Sequence, residues 1–475
     1  MYFRFEKSNN VILMNTALWA KVLNFELDNP NDQYGFSTRL AFENNWTSFF
    51  TQLVIVEYKK FMYLAATSDE MVSPSESVDI VWHQHLIFTN SYSEFCILLE
   101  KRIEHIPSTH NRSEVEKFQK AKDRTKELYE INFGNQPEEI WNNHNELDSL
   151  YLTPGTLKFS VLKKFFLVLF FLLIFPIYLI IKPTLIEIGN PDFLTGYLTL
   201  FAFVVVLLEL YLRFSFKSFY NKIKSNLILS NLSPFELVFL EQNKLEFVVH
   251  GVVNNLISNK KIKVTGNNRL EIIDDSYTEN QYENCALEMM KAYQPMPYFQ
   301  LYNTLKRIPV YDQIQKSVNK IKETIINSKQ FTSIIIIAMA VLGLLLSIGF
   351  SRLISGITRD KPVTYLVFIM LLLIVVSDYY LNRITKYLFQ KTIPQSFKNQ
   401  NSNTSIGENW ELNYFLFGNI VLVSSFIPLI SATNTSNFIS SNNNSNSSSG
   451  SCSSSCGSSC GSSCGSSCGG CGGGD

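Results

Sequence analysis

The sequence predicts a mainly α-helical protein with a soluble all-α N-terminal domain, a membrane part of four or five helical spans, a small α+β domain and a disordered Cys/Gly/Ser tail. Two observations carry this prediction. Apolar runs close to the roughly 20 residues needed to cross a bilayer occur in two pairs, at 165–212 and 331–381. Before and between these pairs, apolar residues recur with the helical period in segments that are too polar to span.

The apolar pairs divide the chain into successive segments. The predicted order is an all-α cytoplasmic domain at 1–150, a transmembrane hairpin at 165–212, a cytoplasmic winged-helix-like domain at 213–330, a second transmembrane pair at 331–381, a linker with a candidate fifth span at 382–430, and the low-complexity tail at 431–475.

Composition agrees with this division. Hydrophobic residues make up 46% of the chain and 37 residues are Phe, which fits a membrane protein that also carries soluble parts. The 41 basic residues equal the 41 acidic residues, so the net charge indicates no polyanionic partner and nucleic acid is not expected. Most of the eight cysteines lie at 452–471, a distribution that excludes a disulfide-stapled fold.

The N-terminal domain shows helix starts and stops of known type. No apolar core with a cleavage site opens the chain, so no signal peptide is expected and this domain is predicted to start in the cytoplasm. Segment 73–76, with Ser, Pro and an acid, marks a helix start. Asp79 and His83 share one face of that helix. Asn90 is predicted to cap the next helix, and Gly134 to end a later one. Another face of the helix that starts at 73–76 carries Val78, Val81, Trp82 and His85.

Five stretches of this domain resemble a known module. They are FSTRLAFENNW at 36–46, VEYKKFMYLAAT at 56–67, PSESVDIVWHQHLIFTNSYSEFC at 74–96, HIP at 105–107 and YEINFGNQPEEIW at 129–141. Their order and spacing resemble the glycine-rich-domain-containing-protein-like module, whose WHxH signature is Trp82-His83-Gln84-His85 in this chain. The resemblance implies an all-α domain and brings no settled activity with it.

The orientation in the membrane follows from the basic residues that flank the spans. The first pair, 165–181 and 193–212, has basic clusters outside it and Lys182 alone in its loop, so the positive-inside rule places both flanks in the cytoplasm. The second pair, 331–350 and 363–381, shows a weaker bias because its loop holds Arg352, Arg359 and Lys361; this loop is still predicted to lie outside. A fifth run, 414–430, is short and polar, and its crossing is left open.

The middle domain combines helices with a predicted hairpin. Ser233 and Pro234 mark a helix start, and an amphipathic helix follows. The apolar period then changes from 3.6 to 2, so 261–273 is predicted as a β-hairpin and the whole as winged-helix-like. With the late pair of spans and the Gly/Cys tail, this layout is similar to a family of uncharacterised bacterial membrane proteins, which implies a location in the bacterial inner membrane and no reaction.

Two sets of residues could bind metal. His83, His85, Cys96 and His105 offer the imidazole and thiolate ligands that zinc prefers. The alternatives are that His85 and Cys96 pack in the core while Asp79 pairs with His83, or that these groups are catalytic. The tail cysteines could bind soft metals, form disulfides or belong to a passive tether. They are Cys456, Cys460, Cys464, Cys468 and Cys471.

Function is therefore predicted only by class. The sequence has no phosphate-binding glycine loop, nucleophile elbow or HExxH motif, which weakens an enzymatic interpretation. The favoured prediction is a multi-pass cell-membrane protein that acts as an anchored binding or assembly module. Its expected partners are the lipid bilayer, a protein at the cytoplasmic face and a second copy of the chain. The alternative is a zinc-dependent activity or metal handling by the His/Cys cluster and the tail.

Overall fold

The computed structural model describes residues 15–29, 32–106, 112–155, 158–401 and 409–431. As predicted, these residues are mainly helical, and they include one small antiparallel sheet.

The N-terminal domain is built around one long helix. Its helices are α1 (Thr16–Leu23), α2 (Phe36–Asn44), α3 (Ser48–Thr67), α4 (Glu76–Ile87), α5 (Thr89–Leu98), α6 (Arg112–Phe133) and α7 (Glu138–Trp141), followed by a 3₁₀ turn at Glu146–Leu150. The long helix α3 packs against α1, α2, α4 and α6 and buries Phe50, Tyr58 and Phe61 completely. Gly134, at φ +83°, ends α6 as expected. The predicted Asn90 cap is wrong, because α5 already begins at Thr89.

The first apolar pair forms two long helices, α8 (Phe159–Glu187) and α9 (Asn190–Ile223). Both are longer than the predicted runs. The helix α8 continues through Pro176 and Pro183, and α9 extends well beyond its apolar stretch towards the middle domain.

The middle domain contains the predicted hairpin and one additional strand. Its elements are α10 (Leu227–Ser230), α11 (Pro234–Gln242), α12 (Glu246–Ser258), β1 (Ile262–Thr265), β2 (Arg269–Ile272), α13 (Gln281–Lys291), β3 (Met296–Pro297), α14 (Tyr298–Leu305) and α15 (Pro309–Ile326). Ser233 and Glu236 form a reciprocal capping box at the start of α11. In the sheet β2 lies between β1 and β3, and both pairings are antiparallel. The strand β3 is too short to be recognised from its sequence.

The second apolar pair forms α16 (Lys329–Ile357) and α17 (Thr364–Tyr387), and a π turn at Leu388–Thr392 leads into α18 (Ile393–Gln400). Among the described residues, three helices are long and apolar enough to cross a membrane: Asn190–Ile223, Lys329–Ile357 and Thr364–Ile384. The helix α8 packs along α16. Large apolar side chains such as Phe203, Phe368 and Leu372 lie exposed on these helices, as expected of a surface that faces lipid.

The candidate fifth span is not a single helix. Its first part belongs to α19 (Trp410–Phe417), which ends at Gly418 with φ +55°, and a 3₁₀ turn at Gly418–Val421 follows. This segment packs on the middle domain. The Tyr414 hydroxyl donates to the Phe247 carbonyl (2.8 Å), and the Asn254 side chain binds the backbone at Val421 and Val423. Because the stretch is broken and docked, it does not resemble a membrane crossing.

The N-terminal domain packs directly on the middle domain. The helix α2 lies against α15, where the Lys316 ammonium sits 3.2 Å from the centre of the Phe42 ring. At the start of α3, two carboxylates from elsewhere in the chain accept backbone hydrogen bonds. Glu146 accepts from the Thr47 amide (2.9 Å), and Glu236 accepts from the Ser48 amide (2.9 Å). The two predicted soluble domains therefore form one joined unit.

Candidate functional site

The helix α4 positions two of the polar side chains that the sequence singled out. Its first residue follows Ser75, whose hydroxyl accepts from the Val78 amide and caps the helix. Asp79 and His83 are one turn apart and point to the same side, with Asp79 Oδ2 3.7 Å from His83 Nδ1. Trp82 lies on the buried side of the same helix.

His105 reaches this helix from the segment that follows α5. A chain of hydrogen bonds fixes the segment: the Trp82 indole donates to the Tyr92 hydroxyl (3.1 Å), which donates to the Ile103 carbonyl (2.5 Å). Lys101 adds two bonds to the carbonyl end of α3. As a result the His105 ring packs edge-on against the Trp82 ring, with the two centres 4.5 Å apart.

The three side chains form a compact group of metal-binding donors. His105 Nε2 lies 3.0 Å from Asp79 Oδ1, and the His83 and His105 ring centres are 4.4 Å apart. One donor atom from each residue lies within 4.8 Å of the other two. In a tetrahedral zinc site with bonds of about 2.0–2.2 Å, neighbouring ligand atoms are about 3.3 Å apart. Small side-chain rotations would therefore bring these donors to bonding distance of one ion.

The group lies at the edge of a cleft of about 780 Å³. The loop between α3 and α4 and the first half of α6 form its walls, and Thr125 joins the two by exchanging hydrogen bonds with the backbone of Ser73. Both Asp79 and His105 line the cleft. His83 has 56% of its side chain exposed, so a bound ion would keep access to solvent and to a ligand in the cleft.

Two of the four predicted ligands lie elsewhere, in the core. His85 is fully buried, and both of its ring nitrogens are within hydrogen-bond distance of hydroxyls, Nδ1 of Tyr58 (2.7 Å) and Nε2 of Ser91 (3.0 Å). Burial lowers the pKa of His85 to about 4, so the ring is neutral at pH 7. Cys96 is a buried free thiol. The predicted set His83, His85, Cys96 and His105 is therefore divided, and His83 and His105 are joined by Asp79.

The predicted role of the tail cysteines lies outside the described residues, since Cys456, Cys460, Cys464, Cys468 and Cys471 all follow residue 431.

The sequence alone predicts the pairing of Asp79 with His83, because the two lie four residues apart on one helix. The return of His105 to this helix depends on contacts of Tyr92 and Lys101, which no local pattern reports.

No protein-family model, no curated protein and no solved structure matches this chain. The two resemblances noted from the sequence stay predictions, and the geometry of the molecule has to support any functional conclusion.

Proposed function

We propose that this protein is a membrane-anchored binding module whose N-terminal domain holds a divalent metal ion on Asp79, His83 and His105. A ligand in the adjoining cleft would complete the coordination of that ion. The observation that supports this proposal most directly is the convergence of two imidazoles and one carboxylate at the edge of the cleft. Two histidines and a carboxylate occupy one side of an ion and leave other positions open, as in known zinc and non-haem iron sites.

The surroundings of the group favour metal binding over a simple surface ion pair. Asp79 contacts both histidines, one through each carboxylate oxygen. The Trp82 ring holds His105 in one place, together with the hydrogen bond from Tyr92 to the segment that follows α5. Only 16% of the His105 side chain is exposed. Ligands that are positioned in advance by neighbouring groups bind metal more tightly than mobile ones.

The proposed arrangement in the membrane has four spans, α8, α9, α16 and α17, with the N-terminal and the winged-helix-like middle domains in the cytoplasm. Basic residues support it, because they cluster on the flanks of the first pair. The docking of 409–431 on the middle domain supports four spans over five. The cleft would then face the cytoplasm.

Metal content of the full-length protein tests the proposal. The chain is purified in detergent without a polyhistidine tag and dialysed against metal-free buffer. Its bound metals are then identified and quantified by inductively coupled plasma mass spectrometry. About one zinc or iron ion per chain is expected in the wild type, and a large loss in His83→Ala and in His105→Ala. Both histidines lie on the surface of the domain or at the edge of the cleft, so their replacement should leave the core intact.

His144 provides the matched control. It makes a 2.6 Å contact with Glu76 on the exposed surface of the same domain, and within the described residues this pair joins no group of three donors. His144→Ala should therefore keep the wild-type metal content. A wild type without metal, or equal metal in all three variants, would refute the metal site and leave the cleft as a surface for a metal-free ligand.

A further inference from the structure

The two helical hairpins meet at the end of the bundle that lies away from the soluble domains. The guanidinium of Arg352, near the end of α16, donates to the Leu185 and Ile188 carbonyls at the end of α8 and to the Asn190 side chain at the start of α9. Arg352 is 8% exposed, and its guanidinium lies 4.9 Å from the centre of the Phe193 ring. The loops that join α8 to α9 and α16 to α17 are therefore held next to each other.

A cavity of about 330 Å³ opens between these loops. Arg352, Arg359 and Lys361 line it, and none of the described residues that line it carries a carboxylate. Among the described residues, none of the three cations has a carboxylate oxygen within 4.0 Å, although Asp192 lies in the first turn of α9 and Asp360 in the loop between α16 and α17. Three cations around one cavity repel one another. An anion bound between them would offset this repulsion and lower the electrostatic energy of the site.

Uncharged groups of the cavity also fit an anion. The Ser355 hydroxyl lines the cavity, and its buried oxygen has no hydrogen-bond partner in the part of the chain that the structure describes. A buried hydroxyl without a partner costs free energy that a ligand oxygen could recover. The first turns of α9 and α17 border the cavity as well, and neither helix has a side-chain cap. Uncapped helix N-termini attract negative charge.

The remaining wall is apolar and continues onto the lipid-facing surface. Phe193, Leu194 and Leu366 line the cavity, and Tyr365 lines it with 81% of its surface exposed. Phe368, one turn along α17 and 68% exposed, extends this apolar surface into the span. A small hydrated anion would gain no free energy from contact with this apolar wall. An acyl chain attached to a phosphate would remove the wall from water.

We propose that this cavity binds the phosphate group of an anionic phospholipid, with Arg352, Arg359, Lys361 and Ser355 around the headgroup and the acyl chains along α17. The site accounts for basic residues in a loop that the positive-inside rule would leave neutral. Their charge compensates that of a lipid headgroup.

Binding to the full-length protein in detergent tests this proposal. The thermal unfolding midpoint is followed during separate titrations with short-chain phosphatidylglycerol, phosphatidylcholine of equal chain length, and inorganic phosphate. Phosphatidylglycerol should raise the midpoint of the wild type far more than the other two. In Arg359→Gln/Lys361→Gln its apparent affinity should fall at least about tenfold, the equivalent of roughly 1.4 kcal/mol.

Arg359 and Lys361 are exposed and serve no described ion pair, so their replacement should preserve the fold; Lys361→Gln alone replaces the double variant if that is unstable. The control is Lys182→Gln, a cation near the same end of the bundle whose ammonium lies over the Tyr178 ring and outside the cavity. It should bind phosphatidylglycerol like the wild type. Equal affinity in the double variant, equal stabilisation by phosphatidylcholine, or full replacement by inorganic phosphate would each overturn the lipid site.

Discussion

Glu146 is a buried carboxyl group at the junction of the two soluble domains. Its Oε1 accepts from the Thr47 amide and from the Thr47 hydroxyl (2.6 Å), while Oε2 is buried and has no hydrogen-bond partner among the described residues. Burial raises the pKa of Glu146 to about 7, and the nearby carboxylate of Glu236 acts in the same direction. Burial also raises the pKa of Glu236. Two carboxyl groups thus accept hydrogen bonds from the backbone at the start of α3, and the burial that this position requires disfavours their ionised forms.

This arrangement predicts that the folded protein loses stability as pH rises from acidic to neutral. The pKa of Glu146 is higher in the folded chain than in the unfolded chain, so folding is favoured at low pH and loses stability as pH rises from about 4.5 to 7. The loss should be about 2–3 kcal/mol. Glu146→Gln keeps an oxygen for Thr47 and cannot ionise, so its free energy of unfolding should vary less over this range.

Unfolding midpoints in detergent at pH 5 and pH 8 measure the effect. Glu127→Gln is the control, because Glu127 forms an exposed surface pair with Arg124 and its loss should change neither midpoint. If Glu146→Gln and the wild type show the same change in midpoint between the two pH values, Glu146 does not titrate as its burial implies.

At the scale of elements, the packing of the membrane helices depends on close contact at one glycine. Gly349 in α16 faces α9 and α17. A Cβ at this position would lie 2.2 Å from Met370 Sδ and 2.6 Å from the Tyr197 hydroxyl oxygen, which itself donates to the Leu345 carbonyl. Real atoms do not approach so closely, so a side chain here would have to move both neighbours. Small residues at helix contacts are typical of membrane bundles.

Gly349→Ala should therefore destabilise the bundle by about 1–3 kcal/mol, the usual cost of overpacking. Thermal unfolding in detergent would show this as a lower midpoint. Gly196→Ala is a matched control, since Gly196 lies in α9 and a Cβ there would have no atom within 4 Å. A Gly349→Ala variant as stable as the control would show that α16 and α17 separate without cost.

At the scale of the whole molecule, the described chain returns to the middle domain after α17. Lys398 pairs with Glu241 of α11 (2.8 Å), and 409–431 then packs on α11 and α12. The described chain therefore ends beside the soluble unit.

Thiol labelling should place the tail on the side of the N-terminal domain. Cys96 and Cys285 are buried, so a membrane-impermeant maleimide reports on the tail thiols under reducing conditions. Labelling is expected in inverted membrane vesicles and not in intact cells. A chain ending at residue 431 that carries Glu187→Cys, at the end of α8, should show the opposite pattern. Labelling of both the tail and Glu187→Cys in intact cells would require a fifth crossing.

Much of the local structure could be predicted because its causes are local. An apolar run of about 20 residues has to satisfy its own backbone in lipid, so the sequence alone indicated the long helices, although not their full extent. Ser233 with Pro234 and Glu236 is sufficient to start a helix, and the change of period from 3.6 to 2 indicated the strands β1 and β2. The sequence also brought Asp79 and His83 to one helical face.

Only the tertiary structure decided which distant residues meet. It joined His105 to Asp79 and His83 and left His85 and Cys96 in the core, because a helix pattern shows the face of a residue and not the segment that returns to it. It also placed Glu146 and Glu236 at the start of α3 and brought Arg352 to the end of α8. The physical reason is common to all of these contacts: each joins residues far apart in the chain, and the free energy that holds them comes from burial and hydrogen bonding that exist only after folding.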